Sequence, residues 1–197
     1  MNDENTLILH DLIILEEMAS NMELYLDSNA VDWTIPRVNM PKLTIGGYLM
    51  RQHRLTTLET RLEAEQQTRL RSAIKQFDGA LVERIVRFET RAHQELHRRI
   101  SEWMGHMREL GSRTLADINY YAGIVDTRVV ITSLIDKLQV QPFKLQEGIL
   151  ESVHALDSNL KARTDHHPFI WDPLWMPAYP PDKYWWLYCR PKHAVST

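Results

Sequence analysis

A chain of 197 residues, 44% hydrophobic and 25% charged, has the composition of an ordinary globular protein and is long enough to bury a core. Cys189 is its only cysteine, so a disulfide within the chain is excluded, as is usual in the reducing cytoplasm. No apolar run approaches the ~20 residues that span a bilayer, and the acidic N-terminus lacks the basic segment of a secretory signal. We therefore expect a cytoplasmic protein without membrane association.

The net charge is only −3, but acidic and basic residues occupy different parts of the chain. The first 36 residues hold eight acids and no Lys or Arg, whereas residues 51–113 hold thirteen bases, twelve of them Arg, against nine acids. This pattern favours an acidic first helix that lies beside a basic one within a single bundle. The alternative is a basic surface for an anionic partner.

The first predicted element is a helix over residues 4–28, where apolar residues recur every three or four positions. A loop over residues 29–43 follows, because Pro36 and Pro41 are incompatible with a helix interior. We expect Trp33 in this loop to pack on the bundle.

A hydrophobic stripe at helical spacing follows, and Gln66 is its only polar member. Its positions recur about every 3.67 residues, which is helical periodicity and differs from the ~3.5 of a left-handed coiled coil. One continuous helix over the stripe would be about 84 Å long, whereas a compact domain of this size is about 40 Å across. The molecule is therefore elongated, or the helix is broken. The stripe consists of Leu55, Leu58, Leu62, Gln66, Leu70, Ile74, Phe77, Leu81, Ile85, Phe88, Ala92, Leu96, Ile100, Trp103, Met107 and Leu110.

Asp78-Gly79 is the one place in the stripe where a break, and hence a hairpin, is expected, because Asp and Gly favour helix ends and turns. The stripe nevertheless keeps its phase across this dipeptide, with Phe77 and Leu81 four residues apart. A hairpin does not need to preserve that phase. One very long helix is therefore slightly favoured over the break.

Two further helices are predicted over residues 114–138 and 142–163. Thr114 and Asp117 resemble a capping box at the start of the first, and Pro142 suits the first position of the second. The sequence therefore predicts an all-α fold: an elongated bundle of about five helices, built on one very long central helix or on a hairpin broken at 78–79.

The C-terminal segment has a different composition, with six of the nine prolines and four of the six tryptophans after Asp165. Such proline density excludes an ordinary helix there. We therefore divide the chain into a helical domain over 1–165 and an extended, aromatic segment over 166–197. This segment is a strap that docks in the grooves of the bundle, or a platform that grips a partner. The partner-binding candidates on it are Trp171, Trp175, Trp185, Trp186 and Arg190.

Metal ligands and catalytic motifs are sparse. The only Glu-x-x-His stands alone, whereas ferritin-like di-iron bundles need two such motifs and two further Glu. Phosphate loops, dinucleotide fingerprints, nucleophile elbows and paired-cysteine zinc spacings do not occur. We therefore expect no catalytic residues, no metal and no cofactor. The weak metal candidates are His93 and His97, four residues apart; Glu151 and His154, in the Glu-x-x-His; and the adjacent His166 and His167.

A nucleic-acid surface would use four arginines that project beside the stripe, at positions where they could track phosphates. Glutamates interleave with them, and Arg91–Glu95 and Arg98–Glu102 are spaced to form i,i+4 ion pairs that would neutralise the row. The four arginines are Arg84, Arg87, Arg91 and Arg98.

The most plausible function is a non-catalytic interaction or assembly protein, because the stripe of one ~84 Å helix is longer than the flanking helices can cover. Large exposed apolar patches usually mark interfaces, and two-fold pairing is the commonest solution. We therefore expect a homodimer, or else a complex with another protein. A nucleic-acid-associated accessory protein is the alternative, and a metal-dependent bundle enzyme comes third.

Overall fold

The computed structural model describes residues 3–109 and 117–192. In these ranges the chain is overwhelmingly helical and contains one small antiparallel sheet, which confirms the predicted all-α class. No helix in the described ranges combines the length and the apolar character needed to cross a membrane. The elements are α1 (Asp3–Asp27), α2 (Ile45–Thr57), α3 (Ala64–Val82), α4 (Ile85–Arg108), α5 (Ile118–Ile124), α6 (Asp126–Leu138), α7 (Ile149–Ala162), β1 (Thr164–His166) and β2 (Cys189–Pro191).

The prediction of one very long helix is wrong, because α2, α3 and α4 divide the stripe among them. The first break lies between Thr57 and Ala64. A 3₁₀ turn forms there, and Glu63 then caps the start of α3 through a capping box. The Glu63 side chain accepts from the main-chain N–H of Gln66, and the Gln66 side chain accepts from the main-chain N–H of Glu63. A capping signal of this kind fixes a helix start that apolar spacing does not reveal.

The prediction of a break at Asp78-Gly79 is also wrong, since α3 runs through Gly79 and ends at Val82. The chain turns at Glu83-Arg84 instead. The main-chain N–H of Arg84 donates to the carbonyl of Leu81 at 2.9 Å, which closes the last turn in 3₁₀ fashion.

Breaking the helix does not expose the stripe. Its described members are buried except Gln66 and Ile74, which are half-buried, and Ile85, which is 37% exposed. Leu110 lies outside the described residues. Because the fold covers its own stripe, the uncovered apolar length that led to the homodimer prediction does not exist. The homodimer stays a prediction that requires a different surface.

The later helices also differ from prediction in their bounds. Residues 118–138 form two successive helices, and the Asp117 side chain caps the first by accepting from the main-chain N–H of Asn119 at 2.7 Å. Thr114 lies outside the described residues. Pro142 does not open a helix, because the chain continues in turns as far as Gly148. Gly148 directly precedes α7, and its φ of +79° is readily accessible only to glycine.

The chain divides into two compact units. The first comprises Met1–Leu96 with Ser133–Lys144, and the second comprises His97–Thr132 with Leu145–Thr197. Helices α4 and α6 therefore contribute residues to both units. The boundary at residue 165 stays a prediction, and these units divide the chain along other lines.

The core of the first unit is built on aromatic rings. Tyr48 of α2 stacks on Phe77 of α3 with ring centroids 4.1 Å apart, and Phe88 of α4 meets Phe77 edge-on at 6.0 Å. Burial raises the pKa of the Tyr48 hydroxyl well above its usual value, and the nearby Asp78 carboxylate adds to the effect. In the loop before α2, Val38 is 84% exposed.

Two glycines provide a matched test of the helix bounds. A Cβ on Gly79 would meet nothing within 4 Å, so Gly79→Ala should stabilise the fold by up to about 1 kcal/mol, as expected for a helix interior. A Cβ on Gly47 would lie 2.9 Å from the Thr44 hydroxyl that caps α2, so Gly47→Ala should destabilise the fold. Urea unfolding of both variants measures these changes. Destabilisation by Gly79→Ala would instead support the turn at 78–79.

Candidate interaction surface

The acidic residues of α1 bind arginines from the helices that follow it. Asp11 is 3% exposed and accepts from Arg54 at 2.6 Å, with Arg51 3.2 Å away. One turn further along, Glu16 accepts two hydrogen bonds from Arg69 of α3 at 2.8 and 2.7 Å. These bonds raise the pKa of the Arg69 guanidinium. The charge segregation of the sequence therefore corresponds to ion pairs between neighbouring helices of one unit.

Three of the four arginines predicted to face a nucleic acid bind the C-terminal end of α1. Arg84 donates to Asp27 at 3.0 and 3.1 Å, and Arg87 binds the same carboxylate. Hydrogen bonding to Arg84 lowers the pKa of Asp27 and raises that of Arg84 itself. Arg91 is buried and donates to the main-chain carbonyls of Ser28 and Ala30.

The contacts of Arg91 provide partners for two main-chain carbonyls in the segment that directly follows α1. Its guanidinium also lies 5.7 Å from the ring centroid of Tyr25. Arg98, the fourth candidate, is exposed and belongs to the second unit. Arg84, Arg87 and Arg91 are thus engaged in tertiary contacts of their own chain.

A glutamate that sequence spacing assigns to Arg91 has another role. Glu95 is 0% exposed, and its carboxylate accepts from the main-chain N–H of Gly46 at 2.9 Å. Gly46 lies in the first turn of α2, where unpaired N–H groups and the helix dipole favour a negative charge. The Thr44-Ile45-Gly46-Gly47 run is the sequence signal for a helix start that another element approaches closely.

The weak metal candidates occupy separate local settings. His93 is 6% exposed, and its ring donates to the Glu89 carbonyl at 2.9 Å. His97 is exposed, with its ring 2.8 Å from the Gln146 amide oxygen. Among the described residues, no group of three or more His, Cys, Asp or Glu side chains could hold an ion. The remaining candidates, Glu151, His154, His166 and His167, lie on α7, on β1 and directly after β1.

The C-terminal tryptophans pack within the second unit. The Trp171 indole donates to the Ala122 carbonyl at 2.8 Å, and Trp175 is 8% exposed. Trp186 is 3% exposed, while Trp185 is half-buried and Arg190 is exposed. Trp171 is half-buried as well, so Trp171, Trp185 and Arg190 are the more accessible of the predicted partner-binding residues on this segment.

A buried arginine joins three segments of the second unit. Arg128 of α6 donates two hydrogen bonds of 2.8 Å to Asp157 of α7 and one of 2.7 Å to Thr132. Its guanidinium lies 3.9 Å from the ring centroid of Trp186. This planar, fully engaged fork fixes the C-terminal segment against both helices.

The single cysteine lies beside this cluster. Cys189 is buried, and its thiol is 3.5 Å from the Tyr121 hydroxyl, which donates to the Trp186 carbonyl at 3.0 Å. Burial raises the pKa of the thiol, which disfavours the reactive thiolate. Cys189 acts as a small buried side chain in this packing.

The first unit carries a concentration of exposed apolar side chains where α3 ends and α4 begins. Val82 and Val86 are 73% and 76% exposed, and Ile85 between them is 37% exposed. Leu24, on the neighbouring end of α1, is 60% exposed, and three residues later Asp27 binds α4. We call these four residues the apolar corner. Sequence spacing missed it, because Val82 and Val86 lie beside the stripe and look like ordinary flank residues.

An open cleft of about 280 Å³ adjoins the apolar corner. It lies between the end of α1 and one face of α4. The cleft is lined by Leu26, Asp27, Ser28, Asn29, Val86, Arg87, Thr90, Arg91 and Gln94.

No protein family, curated protein or solved structure matches this chain.

Removal of the buried Asp11 charge should be far more costly than removal of an exposed one. Asp11→Ala leaves two largely buried guanidiniums without their carboxylate, which should destabilise the fold by about 3–5 kcal/mol. In the control, Glu17→Ala loses an exposed pair with Arg37 at 2.5 Å and should change stability by less than about 1 kcal/mol. Denaturant unfolding compares the free energies of unfolding of the two variants. Equal losses would contradict the prediction that the fold depends on the buried Asp11 carboxylate.

Acid should weaken the junction of α1 with α4. The fold lowers the pKa of Asp27 below its usual 3.8, so its contribution to stability is complete at neutral pH. That contribution should disappear as the pH falls below about 4, through the lowered pKa. Asp27→Asn should make the melting temperature fall less steeply as the pH decreases. Asp78→Asn, on the exposed surface of α3, should leave this fall unchanged. Thermal melts between about pH 2 and 7 test this prediction. It would be refuted if the melting temperature of Asp27→Asn fell with acid as steeply as that of the unmodified protein.

Proposed function

We propose that this chain is a non-catalytic helical assembly protein of the cytoplasm that pairs with a second copy of itself. The observation that supports the proposal is the apolar corner, where Leu24, near the end of α1, and Val82 and Val86, on either side of the Glu83-Arg84 joint, expose most of their surface. Soluble proteins scatter single apolar side chains, but a contiguous group usually marks an interface. The single free thiol, Cys189, is consistent with a reducing compartment.

The nucleic-acid alternative is weaker because of what its arginines contact. Arg84 and Arg87 share Asp27, and Arg91 binds main-chain carbonyls of the same chain. A phosphate would have to compete for Arg84 and Arg91 with contacts to α1 and to the residues that directly follow it, and of the three only Arg87 is exposed. Glu23, which lies 3.8 Å from Arg84, would also repel a phosphate.

The metal-dependent alternative lacks a shared location for its ligands. His93 donates to its own helix, and the His97 ring lies against the amide of Gln146. A bundle metal site would need such rings to converge with carboxylates from facing helices. An assembly role requires no such convergence.

Sedimentation velocity of the purified chain, from about 1 to 100 µM, tests the proposal directly at concentrations typical of specific association. We expect a concentration-dependent species of twice the 23.2 kDa chain mass. A monomer throughout this range would refute self-assembly. Salt-dependent binding of short single-stranded DNA or RNA by that monomer would favour the nucleic-acid alternative instead.

A further inference from the structure

We propose that the small sheet of the second unit binds a phosphorylated, extended segment of a partner protein. The segment adds as a strand to the edge of β1 that faces away from β2, and its phosphate group binds Arg163 and Arg190. Every residue that this inference uses belongs to the second unit, whereas the apolar corner belongs to the first. The inference therefore goes beyond the proposed self-assembly and does not depend on it.

The two arginines of this site have no partner within the chain. Arg163 and Arg190 are exposed, and neither guanidinium has a hydrogen-bond or ion-pair partner among residues 3–109 and 117–192. The arginines that join the helices, such as Arg84 and Arg128, are instead occupied by carboxylates of their own chain. The guanidiniums of Arg163 and Arg190 therefore remain available to an anion from outside.

The register of the sheet places both arginines on one face. Asp165 pairs with Arg190, and the main-chain N–H of Lys192 donates to the Arg163 carbonyl at 2.9 Å, so the antiparallel ladder continues one pair beyond the strands. Side chains alternate between faces along a strand, and the buried Pro191 accordingly separates the exposed Arg190 from the exposed Lys192. Arg163 and Arg190 are thus diagonal neighbours, about 7–8 Å apart, from where both side chains can reach one phosphate group.

The exposed face has an excess of two positive charges. Its three cations, Arg163, Arg190 and Lys192, accompany one acid, Asp165, which lies 3.7 Å from the Lys192 ammonium. Arg163 and Lys192 are directly opposite each other, and like charges in that position destabilise a sheet. A phosphate monoester carries a charge of about −1.5 to −2 and can accept from two guanidinium forks. A single carboxylate would neutralise only half of the excess, so the charge of this face fits a phosphate better.

The main chain of β1 favours a peptide as the carrier of that phosphate. Asp165 directs its N–H and C=O towards β2, because the ladder pairs two residues away on either side are hydrogen-bonded and such pairs alternate. The main-chain groups of Thr164 and His166 therefore point to the opposite edge. Among the residues that the structure describes, no strand and no main-chain partner covers that edge. An extended peptide pairs with such an edge by adding a strand, which a nucleic acid cannot do.

Synthetic peptide libraries test the site in the full-length chain. Each library carries random residues on both sides of a central phosphoserine, phosphothreonine or phosphotyrosine, and the same library without phosphate is its control. Immobilised protein should retain phosphorylated peptides about tenfold better than their controls or more, as expected for charge-assisted hydrogen bonds. Mass spectrometry of the retained peptides measures this ratio. Equal retention with and without phosphate would overturn the proposal.

Substitution of the two arginines locates the site. Arg163→Gln and Arg190→Gln should each weaken the binding of a retained phosphopeptide about tenfold or more, measured by fluorescence anisotropy. In the control, Arg71→Gln removes the same charge from an exposed arginine of the first unit, which pairs with Glu59, and should leave the affinity unchanged. Circular dichroism checks the fold. An unchanged affinity in either Arg163→Gln or Arg190→Gln would overturn the assignment.

A proline at position 166 separates a peptide from other carriers of phosphate. His166→Pro removes the outward N–H and keeps both arginines, and proline is tolerated on an edge strand. Phosphopeptide affinity should fall about fivefold or more relative to His166→Ala. Inorganic phosphate should shift the NMR signals of the Arg163 and Arg190 side chains equally in both variants. Equal phosphopeptide affinities, or tighter binding of single-stranded RNA than of the phosphopeptide, would overturn the peptide assignment. A chain that stays monomeric would refute self-assembly and leave this site standing.

Discussion

The ion pairs between α1 and the three helices that follow it are the constraint on which the first unit depends. Helix α1 carries its carboxylates into contact with other helices, and Asp11 is taken almost completely out of water. A buried carboxylate is tolerated only when it is paired, because desolvation of a lone charge costs several kcal/mol. Arg51 and Arg54 on α2, Arg69 on α3 and Arg84, directly before α4, provide that pairing and set which helix lies beside each turn of α1.

The second unit uses the same device on a smaller scale. Arg128 joins α6 to α7 through Asp157 and supports the Trp186 ring, so one guanidinium positions two helices and the C-terminal segment. The planar fork of arginine matches a carboxylate and stacks on an indole, which lysine cannot do equally well. In both units, a buried ion pair between an arginine and an aspartate fixes the helices that carry the aromatic and aliphatic core side chains.

This use of arginine determines what the surface beside α1 presents to a partner. Guanidiniums that hold helices together present less charge to a partner, so the exposed surface beside α1 is a mixture of aliphatic groups and charges of both signs. Such a surface is better suited to another protein chain than to a polyanion. The same bonds that neutralise the arginines also hold the apolar corner and its cleft in a fixed relation.

The sequence by itself determined the all-α class, the core face of the central helices and the complementarity of an acidic first helix with basic ones. Apolar spacing reports which side of a helix is buried, and charge segregation reports which helices attract each other. Tertiary structure decided that the stripe breaks at Glu83-Arg84, because helices that share one core can keep their phase across a turn, as the buried Leu81 and Phe88 do there. It also decided that Glu95 binds Gly46 and that Val82 and Val86 remain exposed, since contacts between distant segments leave no periodic trace in the sequence.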